Sequence, residues 1–143
     1  MGYRSDVAVG IVFADEAKLK DFALKVVAFQ PDNVREALKE YCVPIEGEGR
    51  LISGYFESTK WYDSFEEVQG HSRLQELARE HGAGTAFIRL GEEADDNEID
   101  FMEPDGEQDD DDDKLMEMMQ VLYDNFNFVR KIDCPQGGKA VEF

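Results

Sequence analysis

The sequence predicts an α+β fold: a single, mainly antiparallel sheet of about five strands covered by three to four helices, in the order β-α-α-β-α-β-β-α-β. Three observations lead there. Segments with apolar residues at alternate positions are interspersed with segments whose apolar residues recur at i, i+3, i+4 and i+7. The joints between them are short, which suits hairpins and strand–helix turns better than the crossovers of a doubly wound parallel sheet. The chain has 143 residues, 42% of them apolar, with ten Phe spread along it, enough for one domain around one core. The expected organisation is a domain over 1–133 with an acidic segment at 91–113, and a loose tail over 134–143.

A strand is expected over 6–13, where Val7, Val9, Ile11 and Phe13 alternate with Ala8, Gly10 and Val12. Both faces are apolar or small, as in a central strand covered on both sides. Asp15 offers an N-cap, and Leu19, Phe22, Ala23 and Val26 form the stripe of an amphipathic helix ending near Gln30. Pro31 breaks it. A short second helix follows, with Asp32 as its cap and Val34, Ala37, Leu38 and Tyr41 on its apolar side.

Pro44, Gly47 and Gly49 mark a loop before a strand over 50–62, rich in Leu51, Ile52, Tyr55, Phe56, Trp61 and Tyr62. Ser64 and Glu67 have the spacing of a capping box for a helix through Leu74, Leu77 and Ala78, which Gly82 terminates. Strands over 85–90 and 97–102 read as an antiparallel pair across a short acidic turn. Leu115, Met118, Met119 and Leu122 then define a helix over 114–123, and 126–132 reads as a closing strand.

The formal net charge is −18, from 33 acidic and 15 basic residues. Its distribution is uneven. Between positions 91 and 113 stand Glu92, Glu93, Asp95, Asp96, Glu98, Asp100, Glu103, Asp105, Glu107, Asp109, Asp110, Asp111, Asp112 and Asp113, with no Lys or Arg. The rest of the chain is nearly balanced. Direct binding to nucleic-acid phosphates is not expected, since it needs clustered Lys and Arg, and charge complementarity points to a basic partner. No apolar run reaches the ~18 residues of a membrane span, and the N-terminus lacks a signal-peptide pattern. The expected location is the cytoplasm.

Two readings of the run Asp109–Asp113 stay open. Extended at about 3.3 Å per residue, it spaces charge at roughly the 3.4 Å repeat of one DNA strand, as a phosphate surrogate would. Alternatively it is a solvated loop whose last members favour the N-terminus of the following helix. An EF-hand is not present: with Asp95 first and Asn97 third, Ile99 falls at the fifth position and Asp100 at the sixth. No metal site and no cofactor are expected.

Other chemistry-bearing residues have structural readings. His71 and His81 are ten residues apart on one helix, about 15 Å along its axis, so core-edge packing and helix-end placement suit them better than a shared metal. Cys42 and Cys134 stand beside loop elements, and spacing supplies neither with a base. The carboxylates Glu57, Asp63, Glu66 and Glu67 cluster as they would by composition alone in so acidic a chain. Among the aromatics, Tyr55, Trp61 and Tyr62 are the candidates for apolar contact with a partner.

The opening Met1-Gly2-Tyr3-Arg4-Ser5-Asp6-Val7 and the internal Lys60-Trp61-Tyr62-Asp63-Ser64, followed by Val68-Gln69, resemble a family of small proteins encoded by bacteriophages and prophages. The resemblance extends through Phe87-Ile88-Arg89-Leu90-Gly91-Glu92-Glu93 and the stretch 128–132. It implies no catalytic residues. It does imply an infected bacterial host as the setting and a host protein as the partner.

The resulting expectation is a non-enzymatic binding protein that occupies a basic, normally nucleic-acid-contacting surface, as an inhibitor in the manner of a DNA mimic. A defence nuclease, RNA polymerase or a topoisomerase is the expected kind of target. The main alternative is a structural or regulatory interaction module whose acidic segment merely stays solvated. A third reading is an enzyme using Cys42 or the carboxylates at 57–67, which a pocket holding a Cys and a His within hydrogen-bond reach would favour.

Overall fold

The computed structural model of the chain describes residues 4–43, 50–62, 64–93, 96–105, 112–126 and 139–140. In chain order the elements are β1 (Ser5–Val12), α1 (Glu16–Phe29), α2 (Asp32–Lys39), β2 (Cys42–Val43), β3 (Leu51–Thr59), α3 (Glu66–Glu80), β4 (Gly84–Gly91), β5 (Asn97–Met102), α4 (Asp112–Asn125) and β6 (Lys139–Ala140). The described strands join one antiparallel sheet in the order β5-β4-β1-β3-β2-β6. The class is α+β, as expected.

The detail of the sheet departs from expectation. Four strands are long; β2 and β6 have two residues each and carry no alternation that a sequence pattern could reveal. Two residues of the stretch expected as a loose tail, Lys139 and Ala140, pair with Val43 and Cys42 at the sheet's end. The strand expected over 126–132 lies outside the described residues except for Phe126, which follows α4 directly and is buried.

Strand β1 is central, between β4 and β3. Its alternation divides the core in two. Val7, Val9, Ile11 and Phe13 join Leu19, Phe22, Ala23 and Val26 of α1, Val34, Ala37 and Leu38 of α2, and Leu74, Leu77 and Ala78 of α3. Ala8 and Val12 face the other way, with Ala86, Ile88 and Leu90 of β4, onto Met118, Met119 and Leu122 of α4. Among the described residues the sheet therefore carries three helices on one face and one on the other. Both faces of β1 are dry, which explains its near-continuous apolar run.

Two close approaches depend on glycine. A Cβ on Gly54 would stand 2.5 Å from the Tyr41 ring, and one on Gly70 would stand 2.4 Å from the backbone oxygen of Asn33. The first seats Tyr41 on the sheet; the second lets α3 press against α2.

The caps are a mixed result. Asp15 caps α1, its carboxylate accepting from the Lys18 amide at 2.8 Å. Asp32 is instead the first residue of α2 and pairs with Arg35, Pro31 holding the cap position. Helix α3 begins at Glu66 after Phe65, with no side-chain cap bond, so the Ser64–Glu67 capping box does not form. Gly82 ends α3 at a φ of 84°, where a side chain would be strained.

Candidate functional site

A cleft of about 800 Å³ lies between α3 and the β4–β5 hairpin. Alternation on β4 puts Thr85, Phe87 and Arg89 on its floor, and the antiparallel register sets Met102, Asp100 and Glu98 of β5 beside them in that order. Ser72, Gln75 and Arg79, spaced at i, i+3 and i+7 on α3, form the facing wall. Trp61 and Tyr62 close one side, with the Trp61 ring 6.0 Å from that of Phe87.

Charge in the cleft is organised by Arg89. Its Nη2 and Nη1 donate to the two carboxylate oxygens of Asp96 at 2.7 and 3.2 Å, its Nε and Nη2 donate to Glu98 at 3.0 and 2.8 Å, and Nη1 also donates to Ser5 Oγ at 3.0 Å. The hydrogen bond from Asp96 is the main reason the guanidinium is held more firmly protonated than usual, with Glu98 adding to it and burial opposing. Arg79 donates to Thr85 Oγ1 at 2.8 Å. Both cleft cations are thus engaged within the protein. Asp100 has no ion pair among the described residues.

A second polar group sits deeper, where α2 meets α3. His71 is 3% exposed. Its Nε2 lies 2.8 Å from Glu40 Oε2 and its Nδ1 3.1 Å from the Tyr41 hydroxyl. Because a carboxylate can only accept, Nε2 carries the proton and Nδ1 accepts from Tyr41. The rings of Phe56, Trp61 and Tyr41 surround the imidazole at 4.8, 5.4 and 5.6 Å. Burial lowers the His71 pKa, an effect that Glu40 opposes; burial, then Glu40, pushes the Tyr41 phenol far above its ordinary value.

This Glu40–His71–Tyr41 chain has the connectivity of a relay but no exposed nucleophile, since Tyr41 is fully enclosed. Its role is to satisfy polar groups at a helix–helix contact. His71 thus packs in the core, and His81 caps α3, its Nδ1 within 2.9 Å of the Leu77 carbonyl. Among the described residues no group of three His, Cys, Asp or Glu side chains is arranged to hold a metal ion.

The acidic segment is divided by the fold. Glu92 and Glu93 lie in the β4–β5 turn, Glu98 and Asp100 on edge strand β5, and Glu103 and Asp105 just beyond it; all six are exposed. Asp96 is half-buried against Arg89. Asp113 is exposed in the first turn of α4, and Asp112 begins that helix. Asp95, Glu107, Asp109, Asp110 and Asp111 lie outside the described residues.

The three aromatic candidates are also divided. Trp61 and Tyr62 line the cleft, whereas Tyr55, opposite Ala8 of β1, is on the α4 side of the sheet. Glu57 and Glu66 are exposed on β3 and α3, Glu67 borders His71, and Asp63 is outside the described residues. Cys42 is half-buried in β2, paired with Ser53 and Ala140; Cys134 is outside the described residues.

Neither a role for Arg89 nor the partners of His71 are expected from the sequence. The strands expected over 85–90 and 97–102 already bring Arg89 opposite Glu98, so their ion pair could have been read from the hairpin register. The partners of His71 carry no such signal, because Glu40 and Tyr41 are some thirty residues away.

Comparison with protein-family models, with curated proteins and with solved structures finds no match. No helix among the described residues is long and apolar enough to cross a membrane.

Proposed function

We propose that this is a non-enzymatic binding protein whose acidic β4–β5 hairpin docks on a basic surface of a partner protein, of the kind that otherwise contacts nucleic acid. One observation carries the reading. Glu92, Glu93, Glu98, Asp100, Glu103 and Asp105 are exposed together at one sheet edge, while Arg89, the guanidinium beside them, is enclosed by Asp96 and Glu98.

The hairpin gives these carboxylates a fixed backbone, so less ordering is needed on docking than for a free acidic loop. Their common sign steers a basic partner and accelerates encounter. Under the resemblance to bacteriophage proteins, that partner belongs to the bacterial host, and occupation of its nucleic-acid surface inhibits it.

The test is affinity capture from bacterial lysate at about 0.05 and 0.2 M salt, a range over which multi-contact electrostatic binding falls steeply. Captured proteins are then assayed for DNA or RNA binding with and without this protein. The reading expects a nucleic-acid-binding protein whose capture drops with salt, is displaced by duplex DNA, and is slowed by the combined Glu92→Gln, Asp100→Asn, Glu103→Gln and Asp105→Asn variant. Salt-insensitive capture that this variant leaves unchanged would overturn it.

A further inference from the structure

We infer that the cleft between α3 and the β4–β5 hairpin is a pocket for an arginine side chain presented by a peptide segment of the partner. The inference rests on the binding function proposed above and names what the hairpin's inner face recognises.

Three features of the cleft select a guanidinium. First, it is aromatic and acidic at adjacent positions. Phe87 and Asp100 are register partners on one face of the β4–β5 pair, and Trp61 stands 6.0 Å from Phe87, ring to ring. A planar cation can stack on the aromatic side while its N–H fork meets the carboxylate, an arrangement that ammonium groups use less well.

Second, the carboxylates of the cleft outnumber its cations. Arg89 is bound by both oxygens of Asp96 and by Glu98, and Arg79 is turned to Thr85. Four carboxylates, Glu93, Asp96, Glu98 and Asp100, line the walls against these two guanidinia. In a chain of net charge −18 the surrounding field adds to this preference for a cation.

Third, at about 800 Å³ the cleft falls within the range of ligand pockets and exceeds what one side chain requires. It accommodates the flanking backbone of a peptide. Ser72, Gln75 and Thr85 supply polar groups along the wall for that backbone.

Trp61 is the sole tryptophan of the chain and lies in the cleft wall, so its fluorescence reads occupancy directly. The experiment titrates the full chain with the blocked tripeptide acetyl-Gly-Arg-Gly-amide, and with the neutral isostere carrying citrulline. The expected result is a saturable change in Trp61 emission with the arginine peptide and none with citrulline.

Asp100→Asn should weaken that binding about fivefold, the value of one partly exposed charge contact. Asp124→Asn on α4, the helix on the other face of the sheet, removes the same charge and should change it less than twofold, as expected for a screened distant charge. Equal weakening by the two variants, equal binding of the citrulline peptide, or no saturable response would each overturn the assignment. These outcomes are separate from those of lysate capture: a hairpin that captures a basic partner while the tripeptide fails retains the docking function and loses the arginine pocket. A tripeptide that binds while capture fails leaves the pocket and removes the larger docking surface.

Discussion

At the α2–α3 contact His71 is held between Glu40 and Tyr41, and at the sheet edge Arg89 is held between Asp96 and Glu98. Both arrangements place a nitrogen-rich side chain between oxygen partners brought together by the fold. Their surroundings separate them. His71 is enclosed by aromatic rings, burial lowers its pKa, and its hydrogen bonds suit a neutral imidazole. Arg89 lies in an open cleft beside exposed carboxylates and stays charged, its positive charge consumed locally. The interior pair of contacts fixes how the helices meet; the edge pair sets what sign the cleft presents. Disturbing the first should therefore cost stability, and disturbing the second should chiefly change charge and binding.

The largest effect is expected at the helix contact itself. Gly70→Val drives a side chain into the Asn33 backbone, where a Cβ alone would stand at 2.4 Å. Overpacking against backbone should cost about 3 kcal/mol, measured as a lower denaturation midpoint. A midpoint within error of wild type would show that α2 and α3 separate without penalty.

Tyr41→Phe comes next. It keeps the ring against Gly54 and removes only the hydroxyl that donates to His71 Nδ1. Leaving a buried acceptor unpaired should cost about 1–2 kcal/mol. Chemical denaturation of the two proteins at pH 7.5 makes the comparison.

The same site gives a pH dependence with a defined sign. Because the folded-state pKa of His71 is lowered from 6.5, the unfolded chain binds the proton first as pH falls. Stability should be level with respect to this group above about pH 7.5 and decline as pH drops through 6.5 toward the folded value. His71→Gln, although less stable overall, should lose that component of the slope. An unchanged slope in the variant would assign the acid sensitivity to carboxylates elsewhere.

The smallest effect is expected at the edge. Arg89→Gln should cost no more than about 1 kcal/mol, because Glu98 is exposed, Asp96 is half-buried at the rim of an open cleft, and both contacts are partly screened. Its stability difference should shrink as salt is raised. The variant should also bind the arginine tripeptide at least as well as wild type, since Asp96 and Glu98 are released toward the cleft. A loss of several kcal/mol would make Arg89 a core element like His71.

The β4–β5 hairpin was the most legible part of the molecule. Alternation in Ala86, Ile88 and Leu90 and in Ile99 and Phe101 located both strands, and the pairing follows from the short turn between them. Helix stripes were equally plain: the residues at i, i+3, i+4 and i+7 in α1, α2 and α4 are those the core buries, apart from the partly exposed Leu115. The two-residue strands were illegible because two residues cannot show a period. The caps of α2 and α3 misled for a related reason: Asp32 and Ser64 have cap chemistry, but whether a side chain accepts the bond depends on where the backbone turns.

The acidic segment marks the division between the two levels of information. Sequence alone determined that fourteen carboxylates fall within positions 91–113 without a basic residue, and that strand periodicity continues through part of them. Those properties are local and survive in the unfolded chain. Only tertiary structure decided that the side of the hairpin carrying Thr85, Phe87 and Arg89 faces α3, and that Trp61 comes from before α3 to complete the wall. Each of these depends on strand register and helix packing between distant segments, and side-chain periodicity specifies which face a residue occupies without specifying what will stand across from it.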